Sequence, residues 1–203
     1  MRLLVATTNR NKLREIRGLF EGVPIKLDGL DAFPPVDEPE ETGRTFAENG
    51  RQKATYYSTR FGVVAVAEDS GLEIDGLGGE PGVYSARYGG AEAETYSQKF
   101  ALIYRHLRER HALGCPARFV CALAVADGSR IVFEARGTID GRIADRPSGA
   151  GGFGYDPIFS YPPLGRTLAE LTEAEKAVVS HRGNAFRQLR EFLEARAWSL
   201  ADR

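Results

Sequence analysis

The sequence is poor in the residue types that build cysteine-rich and membrane-spanning proteins. It has two cysteines, Cys115 and Cys121, with no CxxC spacing and no Cys/His cluster, so neither a disulfide framework nor a zinc site is indicated. Reduced thiols in a core strand are expected instead. No apolar run approaches the length of a transmembrane helix, and the first residues lack the apolar region and cleavage site of a signal peptide. These absences favour a cytoplasmic protein with no membrane partner.

The sequence also lacks an excess of positive or of negative charge. The 27 Lys+Arg and 28 Asp+Glu leave a formal net charge of −1, so no global field favours a nucleic acid as partner. A phosphate site would therefore have to be local. Only five of the basic residues are lysines, yet Lys12, Lys53 and Lys176 fall in or beside the segments with candidate chemistry. A compact ammonium suits a phosphate oxygen where a guanidinium fork would not fit.

What is present is an ordinary globular composition, 42% hydrophobic and 27% charged, in 203 residues that suit one domain. The pattern predicts a strand at 2–7, helices at 11–21 and 45–60, a strand at 63–67, a helix at 92–110, strands at 118–126 and 130–139, and a last helix from Ser180. Capping boxes at Thr45/Glu48 and Thr172/Glu175 and a hairpin turn at Asp127-Gly128 support these limits. The inner faces of two helices are predicted at Tyr96, Phe100, Ile103 and Leu107, and at Ala185, Leu189 and Leu193. Together these elements predict a mixed α/β domain with helices on a sheet.

The first segment with candidate chemistry is the turn Thr7-Thr8-Asn9-Arg10-Asn11-Lys12. It follows a predicted strand and opens a helix, so its backbone N–H groups and the helix dipole can meet an anion. It lacks the glycines of a Walker sequence. The alternative is an ordinary capped turn.

The second segment is acidic. Glu68 and Asp69 follow the predicted strand at 63–67, and Glu40 and Glu41 lie in the Pro- and acid-rich loop before the second helix. Carboxylates brought together from separate segments need a cation, and hard oxygen ligands suit Mg²⁺. The alternative is a set of solvent-exposed turn acids.

The third and fourth segments are "SGAGGFGYDP" at 148–157, called here the Gly/aromatic loop, and "EK…SHRGN" near the last helix. Glycines let backbone approach a planar ligand while Phe153 offers a face for stacking. Lys176, His181 and Arg182 indicate phosphate or base contacts. A tight turn beside a core Phe is the alternative for the loop.

Together these segments resemble the inosine triphosphate pyrophosphatase family, which hydrolyses non-canonical purine nucleoside triphosphates. The matching motifs run in family order over nearly the whole chain: "TTNRNK", "EETGRTFAEN", "AEDSGLEIDGLGGEPGVYSARYGG", "GGFGYDPIF" and "ELTEAEKAVVSHRGNAF". Gly50 departs from the pattern and is expected only to weaken its helix.

The resemblance implies a Mg²⁺-dependent hydrolase that releases pyrophosphate from ITP, dITP and XTP. It further implies one domain over 1–203, a long, bent, mixed sheet flanked by helices, two lobes with a central cleft, and a homodimer. Asp69 is implied as general base and metal ligand, and Glu40, next to Glu41, as the second metal ligand. The implied substrate contacts are Thr7, Thr8, Asn9, Arg10, Asn11, Lys12, Lys53, Ser70, Arg87, Phe153, Gly154, Tyr155, Asp156, Lys176, His181 and Arg182.

Two rival functions stay open at this point. A nucleotide-binding sensor could use the same motifs without hydrolysis, although a sensor needs no base beside a metal. A pyrophosphatase for other modified or pyrimidine nucleotides would use the same chemistry on another base.

Overall fold

A mixed sheet organises the part of the chain that the structure, a computed structural model, describes, residues 2–196. Within this range seven strands lie in the order β2-β1-β3-β4-β5-β6-β7. They are β1 (Arg2–Val5), β2 (Lys26–Asp28), β3 (Ala65–Ile74), β4 (Pro116–Asp127), β5 (Arg130–Ile143), β6 (Phe159–Tyr161) and β7 (Arg166–Thr167). β1 pairs in parallel with β2 and β3, whereas β6 pairs antiparallel with β5 and β7. The predicted mixed α/β class is confirmed.

The helices begin where short polar side chains satisfy their first N–H groups. They are α1 (Arg10–Leu19), α2 (Phe46–Phe61), α3 (Tyr96–Glu109), α4 (Glu173–Val179) and α5 (His181–Arg196). The predicted capping boxes at Thr45 and Thr172 are confirmed, each with both reciprocal hydrogen bonds. α3 begins four residues later than expected because Gly90–Glu92 forms a separate 3-10 turn and Thr95 caps the helix. None of the helices within 2–196 is long and apolar enough to cross a membrane.

The prediction that the second buried strand ends at Glu68 is wrong. β3 runs on through Glu68, Asp69 and Ser70 to Ile74. The two carboxylates are buried, 4% and 7% exposed, so they are not solvent-exposed turn acids either. A carboxylate can stay in a buried strand when cations or hydrogen-bond donors compensate its charge, and both receive such partners from helices distant in the sequence.

The chain divides into two compact units, one formed by the residues up to Asp69, 121–137 and from His181 onward, the other by 70–120 and 138–180. In the first unit, alternate residues of the strands face two different cores. Leu3, Val66 and Leu123 pack with α1 and α5, and Leu4, Ala67 and Ala124 pack with α2. The second face is rich in alanine, which lets α2 lie close to the sheet.

The second unit has its own core, in which Phe100, Ile103 and Leu107 of α3 pack with Phe159. The predicted inner faces are confirmed for these three residues and for Ala185, Leu189 and Leu193 of α5. The prediction that Tyr96 belongs to the inner face of α3 is wrong, since this residue is 42% exposed. The single domain of two lobes, the bend of the sheet and the cleft stay predictions; Met1 and 197–203 of the predicted domain lie outside the described residues.

Candidate functional site

The carboxylates of two consecutive residues, Glu68 and Asp69, lie on opposite faces of β3 in the first unit. Side chains alternate along a strand, so Glu68 continues the row of Val66 and Asp69 continues the row of Ala67. Glu68 therefore faces α1 and α5, and Asp69 faces α2. We call these two carboxylates and their partners on the three helices the acid cluster.

Glu68 is the centre of a buried ionic network. Arg182, 1% exposed, contacts Glu68 Oε1 at 3.0 Å and donates through Nη1 to Glu15 Oε2 at 2.6 Å. Lys12 Nζ lies 3.1 Å from the same Glu68 oxygen. Burial alone would raise the pKa of Glu68, but the attraction of Arg182, followed by that of Lys12, holds this pKa well below its usual range. The network therefore ties the starts of α1 and α5 to β3.

A buried thiol on the neighbouring strand β4 also lies beside Glu68. Cys121 on β4 lies with its Sγ 3.7 Å from Glu68 Oε2. Burial, reinforced by the charge of Glu68, raises the pKa of this thiol well above its ordinary value. Cys121 and Cys115 form no disulfide, as predicted, but the predicted place in a core strand is wrong for Cys115, which precedes β4 and is half-buried. Cys121 is therefore a neutral core residue rather than a nucleophile.

Asp69 on the other face is held by α2. Asn49 Nδ2 donates to Asp69 Oδ2 at 2.9 Å, and Lys53 Nζ lies 3.7 Å from Asp69 Oδ1. Lys53 also donates to Glu41 Oε1 at 2.5 Å, so its ammonium stands between the two carboxylates. Burial raises the pKa of Asp69 more than Lys53 and Asn49 lower it. Asp69 is thereby a buried carboxylate with proton affinity above that of an exposed one.

Asp69 and Glu41 are chemically suited to Mg²⁺. Both supply hard carboxylate oxygens, and both approach the same ammonium, so one cation already serves the pair. Residues 2–196 contain no group of three or more His, Cys, Asp or Glu side chains placed to hold a metal. Mg²⁺ binds through one or two carboxylates together with substrate phosphates, and this pair fits that mode. Glu40, the ligand named from the sequence, is exposed.

The turn Thr7 to Lys12 connects β1 to α1. Asn9 is the N-cap, and its side chain accepts hydrogen bonds from the N–H groups of Asn11 and Lys12 at 3.0 and 3.2 Å. Thr8, Asn9, Arg10 and Asn11 are exposed, while Thr7 and Lys12 are half-buried. The turn thus presents an exposed helix start with one lysine directed to Glu68.

The start of α5 lies directly on β5. A Cβ on Gly137 would collide with the carbonyl of His181 and the N–H of Ala185, so the glycine is needed for this close approach. His181 is buried. The contact fixes His181 and Arg182 relative to the sheet.

The Gly/aromatic loop belongs to the second unit. Asp156, 2% exposed, accepts from the Phe153 N–H at 2.8 Å and pairs with Lys176. Lys176 Nζ also lies over the Phe153 ring, 4.7 Å from its centroid. Tyr155 is buried and donates to the Ser85 carbonyl at 2.7 Å. Phe153, Asp156 and Lys176 therefore form one compact group, the aromatic–lysine group.

The glycines of this loop first of all let it fold on itself. Gly149, Gly152 and Gly154 have φ values of +84°, +66° and +65°, which L side chains rarely adopt. A Cβ on Gly152 would also collide with the Asp156 carboxylate. The loop is therefore built to bring Asp156 back onto Phe153.

Two further predicted substrate contacts, Ser70 and Arg87, belong to the second unit. Arg87 is exposed, with its guanidinium 5.0 Å from the centroid of Tyr84. Ser70 is half-buried on β3, next to Asp69. Asn49 and Glu15 were missed by the sequence-based prediction. Asn49 is the last residue of the matched motif "EETGRTFAEN" and Glu15 lies three residues after "TTNRNK", and both are weak signals without the fold.

Comparison with known proteins gives a consistent result. The model of the Ham1 family matches residues 3–192. A dITP/XTP pyrophosphatase of an Exiguobacterium species is 45% identical over 189 residues, 93% of this chain and 95% of its own length. A dITP/XTP pyrophosphatase of Gloeobacter violaceus is 46% identical over 92% of this chain and 91% of its own.

The solved structures agree with the sequences. A HAM1 protein from Coxiella burnetii superposes with a TM-score of 0.88 at 37% identity, over 96% of this chain and 99% of that one. A match of this extent in both sequence and fold leaves one conclusion. The chain belongs to the Ham1 family.

Proposed function

We propose that this protein hydrolyses non-canonical purine nucleoside triphosphates, namely ITP, dITP and XTP, to the monophosphate and pyrophosphate, and so cleans the nucleotide pool. The names of its relatives support the substrate class. The observation that carries the reaction is Asp69, a buried carboxylate held by Asn49 and Lys53 with Glu41 on the same lysine. A site that only bound nucleotide would have no use for a base kept in this position.

Asp69 serves as general base in this proposal. It accepts a proton from the water that attacks the α-phosphorus, while the bond from that phosphorus to the bridging oxygen breaks and pyrophosphate leaves. Lys53 and Lys12 bind phosphate oxygens, and the exposed turn Thr7–Asn11 binds the triphosphate. Mg²⁺, held by Asp69 and Glu41 together with the substrate, would neutralise the charge on the phosphates.

The aromatic–lysine group is assigned to the base. Phe153 offers a ring for stacking, Lys176 a cationic donor, and the backbone around Gly154 a close approach. The 6-oxo group of hypoxanthine and xanthine accepts hydrogen bonds where adenine carries an amino donor. A donor aimed at this position therefore discriminates against ATP.

His181 and Arg182 complete the proposed nucleotide contacts, and Ser70 and Arg87 are further candidates. A homodimer and a cytoplasmic location are part of the proposal as well. The dimer is checked by the sedimentation or light-scattering mass of the purified chain.

The test is a substrate panel with pyrophosphate and orthophosphate measured separately. The protein is expected to release pyrophosphate from ITP, dITP and XTP in Mg²⁺, and to lose this activity in EDTA. Tight binding without turnover would instead indicate a sensor. A preference for pyrimidine nucleotides would indicate the related pyrophosphatase activity, and release of orthophosphate would contradict cleavage at the α–β bond.

A further inference from the structure

The side-chain amide of Asn49 connects the Asp69 carboxylate to the loop before α2. The residue is fully buried in the first turn of α2. Its Oδ1 accepts from the Gly43 N–H at 2.8 Å, and its Nδ2 donates to Asp69 Oδ2 at 2.9 Å. The orientation of the amide is determined by these partners, because a flipped amide would set donor against donor and oxygen against carboxylate.

We infer that Asn49 is a positioning residue for the proposed reaction, one that orients the Asp69 carboxylate and fixes it relative to the loop that carries Glu41. The inference rests on the proposed function, in which Asp69 is the base. Gly43 lies two residues after Glu41, so one amide joins the two carboxylate-bearing segments.

The spacing on α2 supports a shared task for two of its side chains. Asn49 and Lys53 are four residues apart and so lie on one face of the helix. Asn49 contacts one oxygen of Asp69 and Lys53 approaches the other. Two contacts on different oxygens restrict rotation of the carboxylate, which a single contact would not.

Two glycines make this contact sterically possible. A Cβ on Gly50 would lie 3.1 Å from the Ala122 carbonyl, so Gly50 lets α2 approach β4 closely. A Cβ on Gly43 would come within 2.7 Å of Glu48 Cβ and would also crowd the Asn49 oxygen. Gly50, expected from the sequence only to weaken the helix, thus has a packing role next to Asn49.

The chain provides a matched control in Gln52. Its amide ties the same loop to the same helix, donating to Thr42 Oγ1 at 3.1 Å and accepting from the Thr42 N–H at 3.4 Å. These contacts involve Thr42 rather than Asp69, and Gln52 is exposed. Gln52→Ala therefore removes a similar loop contact away from the proposed base.

The experiment compares steady-state kinetics on ITP for Asn49→Ala, Gln52→Ala, Asp69→Asn and the double variant Asn49→Ala/Asp69→Asn. Asn49→Ala is expected to lower kcat by roughly 10- to 100-fold with KM changed less than about threefold, the scale for groups that orient a ligand side chain. Gln52→Ala should stay within about twofold of wild type. In the Asp69→Asn background, Asn49→Ala should have no further effect, because it acts through Asp69.

Equal losses from Asn49→Ala in both backgrounds would overturn the inference, since they would mean a general structural role. An unchanged kcat would overturn it as well. If Asn49→Ala does not fold, Asn49→Leu replaces it in the same cycle. This side chain has nearly the same shape but no donor for Asp69 and no added charge beside it, so the same loss of kcat is expected.

A second measurement separates this inference from the proposed function. The side-chain amide protons of Asn49, assigned through Asn49→Ala, should exchange with solvent far more slowly than those of Gln52, and Asp69→Ala should shift and accelerate them. This holds even if the wild-type protein releases no pyrophosphate from ITP, a result that would reject the function alone. Amide protons of Asn49 that exchange as fast as those of Gln52 would reject the positioning role.

Discussion

Glu68 and Asp69 are consecutive residues whose carboxylates are compensated from opposite faces of one strand. Glu68 meets Arg182 and Lys12, while Asp69 meets Asn49 and Lys53. A shift of register by one residue would exchange these environments, because side chains alternate along a strand. The division separates the ionic network around Glu68 from the proposed base, and each half makes its own prediction.

Asp69→Asn tests the base. The replacement is nearly isosteric but cannot accept a proton at neutral pH, so kcat for pyrophosphate release is expected to fall by roughly 10² or more. The melting temperature should change little. Asp140→Asn, at an exposed carboxylate paired with Arg118, is the control and should keep normal turnover. Near-normal kcat for Asp69→Asn at saturating Mg²⁺ would remove Asp69 from the role.

Glu41→Gln and Glu40→Gln distinguish the two neighbouring acids. Glu41 shares Lys53 with Asp69, whereas Glu40 is exposed. Glu41→Gln should therefore raise the Mg²⁺ concentration for half-maximal activity about tenfold or more, and Glu40→Gln should change it less than about twofold. The measurement is a Mg²⁺ titration at fixed ITP. The reverse order would restore Glu40, the ligand predicted from the sequence.

Phe153→Ala tests the base contact. Stacking on an aromatic ring contributes about 1–3 kcal/mol per base, so KM for ITP should rise about ten- to a hundredfold with a small change in kcat. Leu164→Ala, which removes an exposed apolar side chain of the same unit, serves as control. A Phe153→Ala enzyme with normal KM would mean that the ring supports only Lys176.

Arg182→Ala and Arg190→Ala compare a buried with an exposed arginine of α5. Removal of Arg182 leaves Glu68 buried without its main counter-charge, so the free energy of unfolding should fall by about 3–5 kcal/mol. Arg190 pairs with Glu194 on the surface, and its loss should cost less than about 0.5 kcal/mol. Urea unfolding measures both. Comparable losses would show that the network around Glu68 contributes nothing special.

The same Arg182→Ala protein tests a role in base recognition. If Arg182 contacts the purine, its loss should erode the preference for ITP over ATP. An equal drop in kcat/KM for both nucleotides would assign it to structure or phosphate binding.

The raised pKa of Tyr104 predicts that the free energy of unfolding falls at alkaline pH. Burial, followed by the charge of Asp145, raises its pKa to about 12 in the folded protein from an ordinary value of 10.0. The unfolded chain therefore releases this proton first, and the stability gained is complete below pH 10 and lost as the pH rises toward 12. Tyr104→Phe should unfold with a shallower pH dependence in this window, measured in urea with phenolate absorbance. Tyr84→Phe, at an exposed tyrosine, should keep the wild-type slope.

The sequence predicted the features that local chemistry determines. Capping boxes at Thr45 and Thr172 and the Asp127-Gly128 turn depend on residues close in the chain, and these were correct. The continuation of β3 through Glu68 was missed because its compensating partner, Arg182, lies 114 residues away. The same reason hid Asn49, whose contact with Asp69 exists only after α2 packs on the sheet. The resemblance named Asp69, Lys12 and Arg182 as candidates, but only the fold indicated which groups hold them.

The reactivity of the Cys121 thiol can be used to measure how often the core around Glu68 opens. A buried neutral thiol beside Glu68 cannot react with an alkylating or disulfide reagent until the core around β3 and β4 opens. The half-buried Cys115 supplies an internal reference for reagent access in the same molecule. The rate at which Cys121 is labelled, followed by mass spectrometry, therefore measures how often this core opens under native conditions. A substitution at Arg182 or Glu15 that weakens the core should raise this labelling rate.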